Sequence, residues 1–126
     1  MVVLDTHAVL WWASDNERLS SRARRVIMQA NRLGVPAIVF WETSLLVRKH
    51  KLDLGMSVRE WAVKIQAIPR IDPLPLTADI ALLADSLSMH PDPVDRFIVA
   101  TAIHHRVPLV TKDRLLRLLR VVKTVW

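Results

Sequence analysis

Four acidic residues of this chain are spaced so that they could meet in the folded protein. The chain has only 12 Asp and Glu among 126 residues, and four of them come just past apolar segments or in the first turns of predicted helices: Asp5, Glu42, Asp95 and Asp113. Carboxylates crowded together repel one another unless a cation compensates their charge. The natural compensator is a hard divalent ion with oxygen ligands, Mg²⁺ or Mn²⁺. Such a site suits hydrolysis of phosphodiesters, because a metal can orient a water and neutralise charge on the attacked phosphate.

Short strands alternating with helices would bring these acids together. We predict strands at residues 2–4, 35–39, 107–111 and 121–122. Helices are predicted at residues 8–13, from 21 to near 34, from about 42 to 51, and at 57–68, 77–87, 94–105 and 114–119, with an extended, proline-rich crossing at 69–75. This alternation indicates an α/β fold with a parallel sheet flanked on both sides. Because parallel strands end at one edge, we expect the acids that follow them to converge there.

Each acid taken alone also has an ordinary structural interpretation. Asp5 after a strand is typical of a turn or a helix cap, and Asp113 could cap the helix at 114–119. Glu42 could stabilise a helix dipole, and Asp95 is unremarkable in a first turn. His7 could be a ligand or a base, although a packing or hydrogen-bonding role fits its strand-to-helix position better. Only the joint placement of the four acids indicates a metal site.

Composition and charge narrow the class of protein. Lys and Arg number 18 against 12 acids, a formal net charge of +6, which favours a polyanionic partner but also fits a solvated basic surface. Arg48, Lys49, Lys51 and Arg114 lie on segments that begin at the proposed site, and we predict them as contacts to the backbone of a nucleic acid. With no cysteine and two glycines, the chain has no thiolate site and no glycine-rich phosphate loop. We expect one cytoplasmic domain over residues 1–126, with neither signal peptide nor membrane span.

Four motifs carry a resemblance to a known family. They are VLDTHA at 3–8, FWE at 40–42, DPVDR at 92–96 and LVTKD at 109–113. In order and spacing the chain resembles the PIN-domain family, specifically the VapC-type toxins of toxin–antitoxin pairs, over nearly its whole length. The resemblance implies a three-layer α/β/α fold with a short, mainly parallel central sheet. It also implies a Mg²⁺-dependent endoribonuclease, with Mn²⁺ as an alternative ion, a small antitoxin as partner, and a homodimer.

The resemblance also implies roles for individual residues. Asp5, Glu42, Asp95 and Asp113 match the acidic quartet, with Asp5 and Asp95 as the expected direct metal ligands. Thr6 and Thr111 match hydroxyls that support the metal site, and Asp92 is the rival of Asp95 for its role, interpreted here as a structural residue of its loop. Pro91 departs from the family pattern, in which a basic residue commonly stands there.

Three other classes of protein compete with this interpretation. A receiver-like phosphoacceptor domain has similar length and clustered acids, but its middle strand is normally followed by Asp, where this chain has Glu42. A haloacid-dehalogenase-like phosphatase needs a second Asp after its first strand, and here Asp5 is followed by Thr6 and His7. A non-catalytic RNA-binding module is disfavoured because bare carboxylates would weaken RNA affinity. Within the PIN family, an RNA-processing nuclease that is not a toxin remains open.

Overall fold

The computed structural model describes residues 1–126 as a five-stranded parallel sheet covered by seven helices, which confirms the predicted α/β fold. The strands are β1 (Val2–Leu4), β2 (Leu33–Pro36), β3 (Ile71–Leu74), β4 (Leu109–Val110) and β5 (Thr124–Val125). The helices are α1 (Thr6–Ala13), α2 (Ser21–Gln29), α3 (Ala37–Arg48), α4 (Val58–Gln66), α5 (Ala78–Ser86), α6 (Pro93–His105) and α7 (Arg114–Leu118). None of the seven helices combines the length and the hydropathy of a membrane-spanning segment.

The strand order is β3-β2-β1-β4-β5, which places β1 at the centre of the sheet. Val3 and Leu4 on β1 are fully buried, as an apolar strand covered on both faces must be. The chain first adds β2 and β3 on one side of β1, and later adds β4 and β5 on the other side. The strand order therefore reverses between β1 and β4. In open parallel sheets, this reversal opens a crevice at the carboxyl ends of the two strands, where ligands bind.

The second strand differs from its predicted position. We expected a strand at 35–39, but β2 ends at Pro36 and α3 begins at Ala37. The apolar, β-branched residues Ile38 and Val39 read as strand from propensity alone, yet they form the first turn of α3, where Val39 is fully buried. Packing of the helix outweighs β-propensity here. As a result, Glu42 lies in the second turn of α3, and not at or near its start as predicted.

Two other strands were missed or displaced. Prolines at 69, 73 and 75 predicted an extended crossing, but residues 71–74 form β3 and pair with β2. β3 is an edge strand, and the missing N–H of Pro73 is tolerated at an edge. The last strand was expected at 121–122 and lies instead at Thr124–Val125, where it pairs with β4. Five of the seven helices lie close to their predicted positions, and Ser20, Ser57 and Thr77 are side-chain caps of α2, α4 and α5. In contrast, α2 ends at Gln29 and not near residue 34, where β2 lies, and α3 spans 37–48 instead of about 42–51.

Candidate metal and nucleic-acid site

All four predicted acids line one open cavity of about 680 Å³ at the carboxyl ends of β1 and β4. The sheet supplies Asp5 directly after β1 and Asp113 shortly after β4, while Glu42 comes from α3 and Asp95 from the first turn of α6. Asp92 also lines the cavity. The convergence that the alternating pattern predicted is therefore present at the reversal point of the sheet.

Asp5 is the most enclosed of these carboxylates, with only 8% of its surface exposed. Its backbone N–H donates to Val110 O at 3.1 Å, which ties the end of β1 to β4. Its Oδ1 accepts a hydrogen bond from the N–H of Ala8 at 2.8 Å and so caps α1. Burial raises the pKa of Asp5 to about 6, opposed by hydrogen bonds from Thr111 and Ala8 and reinforced by the nearby acids Glu42 and Asp113.

Asp95 is more accessible but is surrounded by more negative charge. Burial and then the charges of Asp92, Asp113, Glu42 and Asp5 raise its pKa to about 7. The imidazole of His90 places its Nε2 3.5 Å from Asp95 Oδ2, and this buried nitrogen has no hydrogen-bond partner. The pKa values of both Asp5 and Asp95 are thus raised by burial and mutual repulsion. This electrostatic state is the one that a bound cation would relieve.

Two further acids of the cavity, Asp113 and Asp92, are helix caps, as Asp5 is. Asp113 Oδ1 accepts from the N–H of Leu115 at 2.8 Å and caps α7, and Asp92 Oδ1 accepts from the N–H of Val94 at 3.0 Å and caps α6. Each cap uses Oδ1 only, so Oδ2 remains outside these bonds. The side chain of Glu42 is half-buried and forms no hydrogen bond or ion pair within the protein. Helix capping and a shared acidic cavity are therefore compatible properties of the same side chains.

The two threonines that were expected to support the site lie beside Asp5. Thr111 is fully buried, its Oγ1 accepts from the N–H of Asp113 at 3.1 Å, and its hydroxyl opposes the rise in the pKa of Asp5. Thr6 is 2% exposed and its Oγ1 has no hydrogen-bond partner within the protein. A buried hydroxyl without a partner is costly, and it lines the acidic cavity.

The oxygen atoms of this cavity suit Mg²⁺ or a similar ion that is bound by few protein ligands and several waters. No three His, Asp or Glu side chains stand close enough together to form a closed ligand set. Mg²⁺ does not require one, because it keeps several waters and binds commonly through one or two carboxylates together with substrate phosphates. The all-oxygen donor set, the raised pKa values of Asp5 and Asp95 and the unpartnered hydroxyl of Thr6 all suit such an ion.

The basic residues around the cavity differ in part from those predicted. Arg114 lines the cavity as expected, whereas Arg48 and Lys49 do not, and Lys51 lines a separate groove of about 790 Å³ beside it. Glu42 and Arg48 are six residues apart on α3, about 9 Å along the helix axis, so the basic end of α3 lies away from the acids.

Sequence reasoning missed two cations of the cavity wall. Lys112 and Arg117 join Arg114 there. Arg117 follows Arg114 by three residues on α7, a helical spacing that could have revealed their common face. Lys112 precedes Asp113 directly, and its Nζ lies 4.7 Å from the centre of the Trp11 ring. His7 lines the same cavity and packs against Trp11, with 5.4 Å between ring centres, as the packing interpretation of His7 expected.

Comparisons with known proteins agree with this geometry. The model of the PIN-domain family matches residues 2–121. Ribonuclease VapC22 of Mycobacterium tuberculosis is 38% identical over 129 aligned residues, which cover 99% of this chain and 98% of that protein.

Solved structures share the fold at lower identity. VapBC2 from Rickettsia felis, bound to a DNA fragment of its promoter, superposes with a TM-score of 0.71 at 15% identity over 98% of this chain and 97% of that one. VapC20 of Mycobacterium tuberculosis, described as a toxin that cleaves the sarcin–ricin loop, gives a TM-score of 0.64 at 19% identity, covering 90% of this chain and 91% of that one. The family match, the full-length relative and the shared sheet show that this chain belongs to the PIN-domain family, within its VapC-type group.

Proposed function

We propose that this protein is a Mg²⁺-dependent endoribonuclease and the toxin component of a toxin–antitoxin pair. The observation that carries the proposal is the pair Asp5 and Asp95, two partly or fully enclosed carboxylates in one cavity, both with raised pKa values. The ribonuclease name of its 38% identical relative supports RNA as the substrate. Mn²⁺ is expected to replace Mg²⁺, because both prefer oxygen ligands.

In this proposal the acids divide the work by their positions. Asp5 and Asp95 would hold the ion, with the Thr6 hydroxyl facing the ion's bound waters and Thr111 fixing the orientation of the Asp5 carboxyl. The ion would lower the pKa of a water and stabilise charge on the phosphate and the leaving oxygen. Glu42 and Asp113, which line the same cavity, would hold the attacking water and accept its proton. Asp92 serves mainly by capping α6, so that Asp95 stays in its first turn.

The cationic wall of the cavity would hold the RNA backbone. Arg114 and Arg117 on α7 take part in no ion pair, so their guanidinium groups remain available to phosphate. Guanidinium groups bind phosphate oxygens in a bidentate manner, which suits a backbone that must lie across an acidic site. The formal net charge of +6 extends this attraction over the whole molecule.

The partners follow from the relatives. One structural neighbour is a complex of a VapC-type toxin with its antitoxin. We accordingly propose a small antitoxin that covers the acidic cavity, a homodimeric toxin and action in the cytoplasm. Growth inhibition separates this toxin from a PIN-domain nuclease of RNA processing, whose expression would not arrest the host.

Removal of either proposed metal ligand should abolish activity without unfolding the protein. Asp5→Asn and Asp95→Asn are expected to lower Mg²⁺-dependent RNA cleavage by more than about 100-fold, since even residues behind metal ligands commonly cost 10–100-fold. Asn remains a good helix cap, so Asp5→Asn should keep α1 intact. Cleavage of total RNA and growth of the expressing host are the two measurements.

The matched control is Asp79→Asn, which removes an exposed acid from the first turn of α5, as Asp95→Asn removes one from the first turn of α6. It should leave cleavage and toxicity unchanged. Cleavage by a folded Asp5→Asn or Asp95→Asn protein at the wild-type rate would refute the proposed nuclease site. If the wild-type protein cleaves RNA but does not inhibit growth of the host, only the toxin assignment is refuted.

Metal binding and stability should depend on pH in opposite directions. The folded pKa values of about 6 and about 7 lie above the ordinary value of 3.8, so ionisation of Asp5 and Asp95 costs folding free energy. In metal-free protein this cost is absent below about pH 4 and complete above about pH 7, so Tm should fall as pH rises through that range. Mn²⁺ affinity, which needs ionised carboxylates, should rise over the same range. Calorimetric titration and thermal melts at several pH values test both trends, and an affinity independent of pH would contradict them.

The cationic wall should reveal itself in the salt dependence of RNA binding. In an inactive Asp5→Asn background, Arg117→Ala should weaken RNA binding and reduce the slope of log Kd against log salt by about 0.7, the loss of one contact to single-stranded phosphate. Arg120→Ala is the matched control, because Arg120 is exposed on the same terminal segment but does not line the cavity. Equal effects of the two substitutions would show that only overall charge matters.

A further inference from the structure

One half-buried guanidinium, that of Arg96, holds the chain segment in front of α6. Arg96 donates from Nη1 to Ala84 O at 3.0 Å and to Leu87 O at 2.9 Å, from Nη2 to Met89 O at 2.8 Å, and from Nε to His90 O at 3.1 Å. A longer contact of 3.5 Å reaches the carbonyl of Asp85. Arg96 forms no ion pair and does not line the acidic cavity. Its guanidinium group thus donates hydrogen bonds to backbone carbonyls only.

These carbonyls belong to two neighbouring features. Ala84 is in the last turn of α5, and its carbonyl also accepts a long hydrogen bond of 3.4 Å from the N–H of Leu87, so Arg96 adds a second donor at this helix end. Met89 and His90 lie in the α5–α6 connection, residues 87–92, and their carbonyls accept no backbone hydrogen bond. Arg96 therefore fastens both the end of α5 and the α5–α6 connection to the first turns of α6.

The α5–α6 connection is adjacent to the acidic site at two points. His90 places its Nε2 3.5 Å from Asp95 Oδ2, and Asp92 caps α6 through the N–H of Val94. The connection has few other backbone bonds, chiefly the one from the N–H of Met89 to Leu87 O at 3.1 Å. The position of the groups that face Asp95 from this side is thus set largely by the bonds of Arg96.

We propose that Arg96 is a positioning residue: by binding the carbonyls of the α5–α6 connection it fixes His90 and Asp92 against Asp95, and so maintains the metal affinity of the acidic site. This inference rests on the proposed function. Lys cannot substitute for Arg96, because an ammonium is a compact charge with three donors, whereas the planar guanidinium reaches carbonyls in several directions at once.

A second arginine provides a matched control. Arg70 donates from Nη1 to Ile27 O and Ala30 O, both at 2.7 Å, and closes the end of α2 in the same chemical manner. Arg70 directly precedes β3, so it lies at the amino edge of the parallel sheet, opposite the acids. Arg70→Lys should therefore cost general stability without affecting the metal site.

The test compares Arg96→Lys and Arg96→Gln with Arg70→Lys in the full chain. We expect both Arg96 variants to show faster hydrogen exchange in residues 87–92, about 10–100-fold weaker Mn²⁺ binding, and a lower kcat for RNA cleavage with KM nearly unchanged. The Lys variant keeps the charge and is the milder change, so it serves if the Gln variant does not fold. Arg70→Lys should retain wild-type Mn²⁺ affinity and wild-type exchange in residues 87–92.

Two results would overturn the proposal. One is a folded Arg96→Lys protein with wild-type Mn²⁺ affinity and wild-type exchange in the α5–α6 connection. The other is an equal loss of Mn²⁺ affinity in Arg70→Lys, which would trace the effect to general stability. Failure of the wild-type protein itself to bind Mn²⁺ or cleave RNA would instead refute the proposed function, and the exchange measurement would still report whether Arg96 holds residues 87–92.

Discussion

Repulsion among carboxylates at the carboxyl end of a parallel sheet is the constraint on which the rest of this structure depends. Burial and neighbouring negative charge raise the pKa values of Asp5 and Asp95 to about 6 and about 7. Each raised pKa means that the folded chain holds the ionised carboxylate at a cost. Helix capping does not require this cost, since a neutral Asn could cap α1 as well as Asp5 does. The divalent cation that we propose for this site would offset the cost by compensating the negative charge.

The topology of the sheet brings the carboxylates together, and local hydrogen bonds fix the orientations of three of them. Reversal of strand order between β1 and β4 opens the crevice, and Asp5 and Asp113 follow those two strands. Three of the aspartates, Asp5, Asp92 and Asp113, cap helices with Oδ1 and thus hold fixed orientations. Arg114 and Arg117 line the same cavity and form no ion pair with these acids. The cavity thus contains both carboxylates and unpaired guanidinium groups, which suits the cation and the polyanion that we propose.

Sequence patterns predicted the acidic site better than they predicted the strands that build it. The convergence of Asp5 and Asp113 depends only on parallel strands ending at one edge, and this was readable from short apolar runs followed by an acid. The bounds of β2 were misread because Ile38 and Val39 favour strands by propensity, while burial places them in α3. β3 was missed because the tolerance of Pro73 depends on its edge position, which no local pattern encodes.

Contacts between distant or irregular segments could not be predicted from the sequence either. Arg117 was recognisable as a partner of Arg114 on one helical face, but its placement on the cavity wall required the packing of α7. The bonds of Arg96 to the carbonyls of residues 84–90 have no signature, because any backbone carbonyl is an acceptor regardless of the residue that bears it. In the DPVDR motif alone, nothing distinguishes Arg96 from a surface charge. Only the structure shows its contacts with the α5–α6 connection.

The central claim is that this carboxylate cluster holds a divalent cation, and the most direct measurement is the anomalous diffraction of crystals grown or soaked with Mn²⁺. The account predicts an anomalous peak at the carboxyl ends of β1 and β4, in contact with the carboxylates of Asp5 and Asp95, and absent in crystals of Asp5→Asn. Ordered Mn²⁺ elsewhere on the protein, with no peak between Asp5 and Asp95, would contradict it.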